Sequence, residues 1–171
     1  MQSEVAGRVI RIEEVPVAAP PATIAEARAL LLSYGQFIVS HENVAGFCFG
    51  TLEKEAASLP LSYIERNGGC LLARADDAAV GLVAWREIAP HTWEMKRLWV
   101  APEARGLGLG HALTQAVLNR AIAAGCKAVY LDTVPAAMAS AYRLYRTMGF
   151  TPCPPYNDNP VKGIEYLVKW L

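Results

Sequence analysis

The residues best suited to chemistry lie in one stretch, Val100-Ala101-Pro102-Glu103-Ala104-Arg105-Gly106-Leu107-Gly108-Leu109-Gly110-His111. Three glycines at every second position follow an arginine, so successive backbone N–H groups can turn toward one point. A helix-periodic apolar run over residues 109–124 begins between the second and third of them. A helix N-terminus offers unpaired N–H groups and the positive end of the helix dipole. The implied chemistry is anion binding, a phosphate or pyrophosphate held by main-chain donors with Arg105 adding charge nearby.

Spacing narrows the anion. A P-loop needs Lys and then Ser or Thr after its last glycine, and here Gly110 precedes His111 and Ala112. A dinucleotide fingerprint needs a third glycine at the sixth place, and from Gly106 that place is His111. A glycine-rich turn without a ligand is the plain alternative, although Val-x-Pro-x-x-Arg-Gly-x-Gly-x-Gly is more specified than a turn requires. Two further side chains could move protons. Tyr145 lies on a helical stripe with Met138, Ala141 and Met148, where it either packs or presents its phenol. Glu94 and Lys96 share a strand face two residues apart, either as a proton acceptor beside a cation or as a simple ion pair.

The loop resembles the coenzyme A signature of the GNAT superfamily of acyl-CoA-dependent N-acyltransferases: Arg or Gln, two residues, Gly, one residue, Gly or Ala. Arg105, Gly108 and Gly110 fill it. Leu144-Tyr145-Arg146-Thr147-Met148-Gly149-Phe150 resembles that family's second motif, and the two motifs span about a third of the chain. The resemblance implies an N-acetyltransferase that moves an acetyl group from acetyl-CoA to a small-molecule amine by direct attack. It implies cofactor contacts from the main chain of Leu98 and Val100 and from Arg105, Gly106, Leu107, Gly108, Leu109, Gly110 and His111. Tyr145 becomes the general acid, with Tyr142 one turn earlier as its weaker substitute, and Glu94 the general base, acting directly or through water. Members often carry Asn seven residues before the tyrosine. This chain has Met138 there, leaving a backbone group or Ser140 to compensate. Two other readings stay open, a non-catalytic acyl-CoA-binding regulatory or interaction protein and a nucleotide-binding module.

The elements that must position these residues follow from periodicity and breakers. A first strand is expected over residues 7–15, then a rigid connector over 16–21. Thr23 and Glu26 read as a capping box opening a helix that ends near His41. A shorter helix is expected over 44–58. A meander follows, with strands at 70–75, 80–87 and 92–100 and a turn at Asp76-Asp77, and it feeds the glycine-rich loop. Beyond the helix at 109–124 come a strand at 127–133, parallel to its predecessor, a helix at 136–148 closed by Gly149, and a last strand at 164–170. This order is α+β. With the resemblance, it implies a mixed central sheet of about six to seven strands, mostly antiparallel with a splayed parallel pair, flanked by helices on both faces. The acceptor pocket is then expected from residues 37–49, Trp85, Arg97, Trp99 and the loop at residues 154–160.

Composition bounds the rest. A length of 171 residues with 53% hydrophobic content fits one domain, residues 1–171, and excludes global disorder. Sixteen basic and sixteen acidic residues cancel, which gives no electrostatic case for nucleic acid or a membrane surface. The start, Met1-Gln2-Ser3-Glu4, lacks a signal peptide's basic and apolar sections, so a cytoplasmic protein is expected. Cys48, Cys70, Cys126 and Cys153 form no CxxC pair and are expected to be reduced. Three isolated histidines build no metal site. Exposed aromatics and the family's habit of dimerising leave a homodimer open.

Overall fold

A computed structural model describes residues 2–5, 7–40 and 49–171 of the chain. Its strands are β1 (Gln2–Val5), β2 (Arg8–Glu14), β3 (Gly69–Ala75), β4 (Ala78–Ala89), β5 (Thr92–Val100), β6 (Ala128–Thr133), β7 (Thr151–Pro152) and β8 (Glu165–Trp170). The helices are α1 (Pro21–Val39), α2 (Phe49–Ala57), α3 (Leu61–Ile64), α4 (Leu109–Ala123) and α5 (Ala139–Thr147). One sheet runs in the order β1-β2-β3-β4-β5-β6-β8-β7. Only β5 and β6 pair in parallel. The sheet therefore has eight strands rather than six or seven. The added two are edge strands that periodicity could not reveal: β1 has four residues, and β7 has two, one of them a proline.

Burial explains the layering. In β3 six of seven residues are buried, because this central strand is covered on both faces. One face of the sheet carries Gly81 and Trp85 and meets α4, where Leu113 Cδ1 stands 3.1 Å from the Cβ position of Gly81. The opposite face carries Arg97 and Trp99 and meets α1 and α2. Leu31, Leu52, Leu72, Leu82, Leu113, Val117 and Val129 knit the layers into one core.

Two expectations are corrected. Helix α1 starts at Pro21 with Pro20 as its N-cap and no side-chain cap, so Thr23 and Glu26 form no capping box. A proline at the first position has a preset φ and no N–H to satisfy. Glu26 is thereby free to pair with Arg74 of β3, Nη2 to Oε2 at 2.6 Å. Helix α5 begins at Ala139, three residues late. Ala137 and Met138 both donate to the Val134 carbonyl in a turn, and Met138 has a non-helical φ of −124°. The expected helix at 44–58 is described only from Phe49, and residues 41–48, with Cys48, lie outside the described residues.

The decisive feature is where β5 and β6 part. They pair over three rungs, Thr92 with Ala128, Trp93 with Val129 and Glu94 with Tyr130, and no further. Just beyond, β5 carries a bulge in which Arg97 and Leu98 together oppose Val83. Arg97 sits there at a left-handed φ of +59°. An extra residue bends its strand and raises the local twist, which turns β5 away from β6. Glu55 of α2 holds the bulge, accepting from Arg97 Nε at 3.0 Å and Nη2 at 2.9 Å. The Tyr34 ring lies 5.7 Å from the same guanidinium.

Candidate active site

Two cavities open at the splay, one of about 640 Å³ and one of about 410 Å³, and both are lined by Leu98 and Met138. The larger is walled by the glycine-rich loop, Val100, Trp99 and the start of α5. Among the described residues no backbone acceptor meets the N–H groups of residues 106–111, and the first bond of the series runs from Ala112 to the Gly108 carbonyl. Gly106 and Gly108 have φ of +83° and +73°, the left-handed region that penalises any side chain. Gly110 is closely packed instead, since a Cβ there would stand 3.2 Å from Leu144 Cδ2 of α5. The arrangement is a bare main-chain cradle. Arg105 does not reach freely into it: its Nε donates to the Val100 carbonyl at 3.2 Å, and its guanidinium stacks 5.0 Å from Trp99 and 5.5 Å from Phe37. The Trp99 indole N–H is buried with no partner among the described residues.

The smaller cavity is lined by charged and polar side chains from both splayed strands and from the loop between β7 and β8. Tyr145 lines it, 6% exposed, its ring edge-on to Phe150 at 5.8 Å. Burial raises its pKa above the ordinary phenol value, and the charges of Tyr34 and Asp132 push the same way. Tyr142 is turned elsewhere, bonded to Glu165, which raises its own pKa. It lines neither cavity. Met138 stands at the junction where the resemblance implies an asparagine. Ser140 lines the larger cavity, its Oγ accepting from Arg143 at 3.3 Å.

Glu94 is wholly buried and lines neither cavity. It accepts from Arg86 Nε at 2.6 Å, Lys96 Nζ at 3.3 Å, the Tyr156 hydroxyl at 2.9 Å and Asn157 Nδ2 at 3.4 Å. Four donors around one carboxylate offset its desolvation and pin the loop to β5. Asn157 Nδ2 also donates to Asp132 Oδ2 of β6 at 3.1 Å, so a single amide bridges the two strands where they separate. Asn159 Nδ2 adds a bond to the same oxygen at 3.0 Å. The side-chain oxygens of these two asparagines accept from the N–H groups of Asn159 and Val161, which shapes the loop by its own side chains.

The residues expected to form the acceptor pocket do not share one cavity. Trp85 stacks on Trp93 at 5.6 Å on the α4 face, remote from both cavities. Trp99 and Phe37 wall the larger cavity, not the smaller, while Arg97 and residues 157–160 do line the smaller one. The bulge explains Trp99, because the extra residue shifts which face each following side chain meets. Asp132, Thr133, Arg86 and Glu55 escaped the sequence reading. Asp132 had a signal: it is the charged residue interrupting an apolar strand near its carboxyl end, where open sheets bind ligands.

Comparison with known proteins agrees with this geometry. Residues 35–150 match the model of the acetyltransferase (GNAT) family. An uncharacterised N-acetyltransferase of Schizosaccharomyces pombe is 35% identical over 121 residues, covering 70% of this chain and 74% of the relative. Human N-acetylaspartate synthetase is 30% identical over 117 residues, covering 67% of this chain but 38% of that protein. The crystal structure of an acetyltransferase from Streptococcus agalactiae superposes with a TM-score of 0.76 at 22% identity, over 95% of this chain and 98% of that one, which speaks to the fold. The splayed sheet, the glycine cradle and the family match together make this chain a member of the GNAT family, an acyl-CoA-dependent N-acetyltransferase.

Proposed function

We propose that the chain transfers an acetyl group from acetyl-CoA to the amine of a small molecule, with coenzyme A in the larger cavity and the acceptor in the smaller. The observation that carries this reading is the meeting of the two cavities at Leu98 and Met138 with the Tyr145 phenol on the acceptor side. A cradle of unpaired N–H groups at the start of α4 fits a pyrophosphate, and the unpaired main chain of β5 around Leu98 fits the amides of a pantetheine arm. The Val100 carbonyl is already taken by Arg105, so its contribution is to hold that arginine across the cradle's mouth. When bound, the cofactor supplies an acyl carbon activated as a thioester.

The remaining work falls to side chains. Two protons leave the acceptor's ammonium as the C–N bond forms. One balances the thiolate released when the C–S bond breaks, and the other passes to solvent. Tyr145 has no hydrogen-bond partner among the described residues and stays protonated throughout the neutral range, so its O–H is available to the departing sulfur. Its pKa exceeds that of a thiol near ~8.5, which makes complete transfer to a free thiolate uphill by at least about 2 kcal/mol. The phenol therefore acts within the bond-breaking step, donating a hydrogen bond that shortens as charge develops. Glu94 is shielded by Tyr156 and Asn157, and we assign it the positioning of β5 and the loop instead of direct proton abstraction. Proximity of a bound amine to the thioester carries most of the remaining acceleration.

The test is thiol release from acetyl-CoA across a panel of amines, compared between the parent protein and Tyr145→Phe. Turnover that survives the substitution overturns the role of Tyr145. CoA binding without turnover on any amine overturns the enzymatic reading in favour of an acyl-CoA-binding regulatory protein.

A further inference from the structure

The acceptor cavity has a charge pattern that specifies more than an amine. On its β4–β5 wall stand Arg86, Lys96 and Arg97. Arg97 is matched by Glu55. Among the described residues Arg86 and Lys96 share a single carboxylate, Glu94, which leaves one positive charge on that wall without a described counter-charge. On the opposite wall Asp132 is bonded, among the described residues, to the neutral amides of Asn157 and Asn159, both through Oδ2, and no described cation pairs with it. Lys96 and Asp132 each lie two residues past the last rung, Glu94 with Tyr130, and so project from the same face of the two strands. No ion pair joins them in this structure, because the splay holds the strands apart.

The exposed Asp158 of the loop also lines the cavity, and the half-buried charges that face each other across the splay, Lys96 and Asp132, are of opposite sign, a pair complementary to a zwitterion. We propose that the acceptor is a free amino acid, its ammonium held by Asp132 and its carboxylate by Lys96 with Arg86 alongside. This deepens the transferase reading above and rests on it. The polarity of the two poles agrees with the chemistry, since Asp132 is the pole whose charge Tyr145 feels and thus lies toward the reacting end. Six apolar side chains, Ile38, Leu52, Met95, Val134, Val161 and Ile164, also line the cavity and can receive an apolar side chain. Thr133, 6% exposed, adds a buried hydroxyl that lacks a partner among the described residues. The cost of leaving such groups unpaired makes the pocket reject amines that cannot pair them.

The experiment titrates the twenty free L-amino acids and their carboxamides into the CoA-saturated protein by calorimetry, in parallel with thiol release from acetyl-CoA. At least one amino acid is expected to bind and react tenfold or more better than its own carboxamide. K96Q is expected to reduce that preference below threefold, with Glu94 still held by Arg86 and Tyr156. Asp132→Asn is the second variant, expected to abolish discrimination between the amino acid and the corresponding carboxylic acid without the amine. Equal use of acids and amides, or binding by none of the twenty, overturns the proposal. Preferential binding without thiol release upholds amino-acid recognition and overturns the transferase reading alone.

Discussion

The two cavities that meet at Leu98 and Met138 are built from different material. The larger, which we assign to the donor, is a main-chain site: N–H groups from six consecutive residues, glycines that free them, and an apolar wall from Trp99, Val100 and Leu144. The smaller, which we assign to the acceptor, is a side-chain site whose charged groups come from β4, β5, β6 and the loop before β8, joined through Glu94, Asn157 and Asp132. The first offers donors that every polypeptide possesses, so it suits a cosubstrate common to many enzymes. The second depends on which side chains the strands and the loop happen to carry, so it is where we place specificity.

If the two sides are independent, each can be broken alone. The largest effect is expected from Glu94→Gln, which leaves Arg86 and Lys96 facing a neutral group in a buried place. Removing one partner of such a cluster costs about 3–5 kcal/mol. Chemical denaturation should show that loss, while CoA affinity of the folded fraction stays within about threefold, less than 1 kcal/mol. A parallel fall in CoA affinity would show that the two sides are one unit.

Tyr145→Phe comes next. Loss of a positioned proton donor lowers kcat on the order of a hundredfold. Stability and CoA affinity are expected to hold, because the hydroxyl has no partner among the described residues. The pH profile sharpens the point. A raised pKa keeps the phenol protonated until well past its ordinary value, so kcat should show no descending limb from this group up to about pH 10. A descending limb that begins near neutrality and vanishes in Tyr145→Phe would remove Tyr145 as the donor.

Gly108→Val attacks the donor side only. A side chain at a φ of +73° costs about 1–2 kcal/mol and disorders the cradle. CoA titration should then weaken by about tenfold or more, with acceptor binding to the free protein unaltered. Smallest is Thr133→Val. Replacing an unpartnered buried hydroxyl with a methyl should leave the fold equally or slightly more stable. If that hydroxyl meets the acceptor, KM rises by no more than a hydrogen bond's worth, about 1 kcal/mol. An unchanged KM would restrict Thr133 to packing.

Legibility in the sequence followed the same division. The strands at 92–100 and 109–124's helix were readable because local pattern and breakers agree there: a meander ends, glycines intervene and an apolar stripe begins. The parallel relation of β5 and β6 followed from the helix between them. Short edges were not readable, since β1 and β7 owe their existence to a neighbour's free hydrogen bonds and not to their own pattern. The capping box at Thr23 misled because a proline one turn earlier nucleates the helix first.

What the sequence determined by itself is the glycine-rich cradle. A main-chain site needs consecutive residues with particular backbone freedom, and three alternating glycines before a helix record that directly. What only the tertiary structure decided is the acceptor side. Glu94 and Lys96 read either as a base with a neighbour or as an ion pair, and Asp132 escaped the sequence reading. Their meaning came from the bulge at Arg97, which parts the strands, and from Asn157, which reaches across 25 residues of sequence to Asp132 to bridge them. Charges distant in the chain acquire a function through the distances between them, and those distances exist only once the sheet has formed.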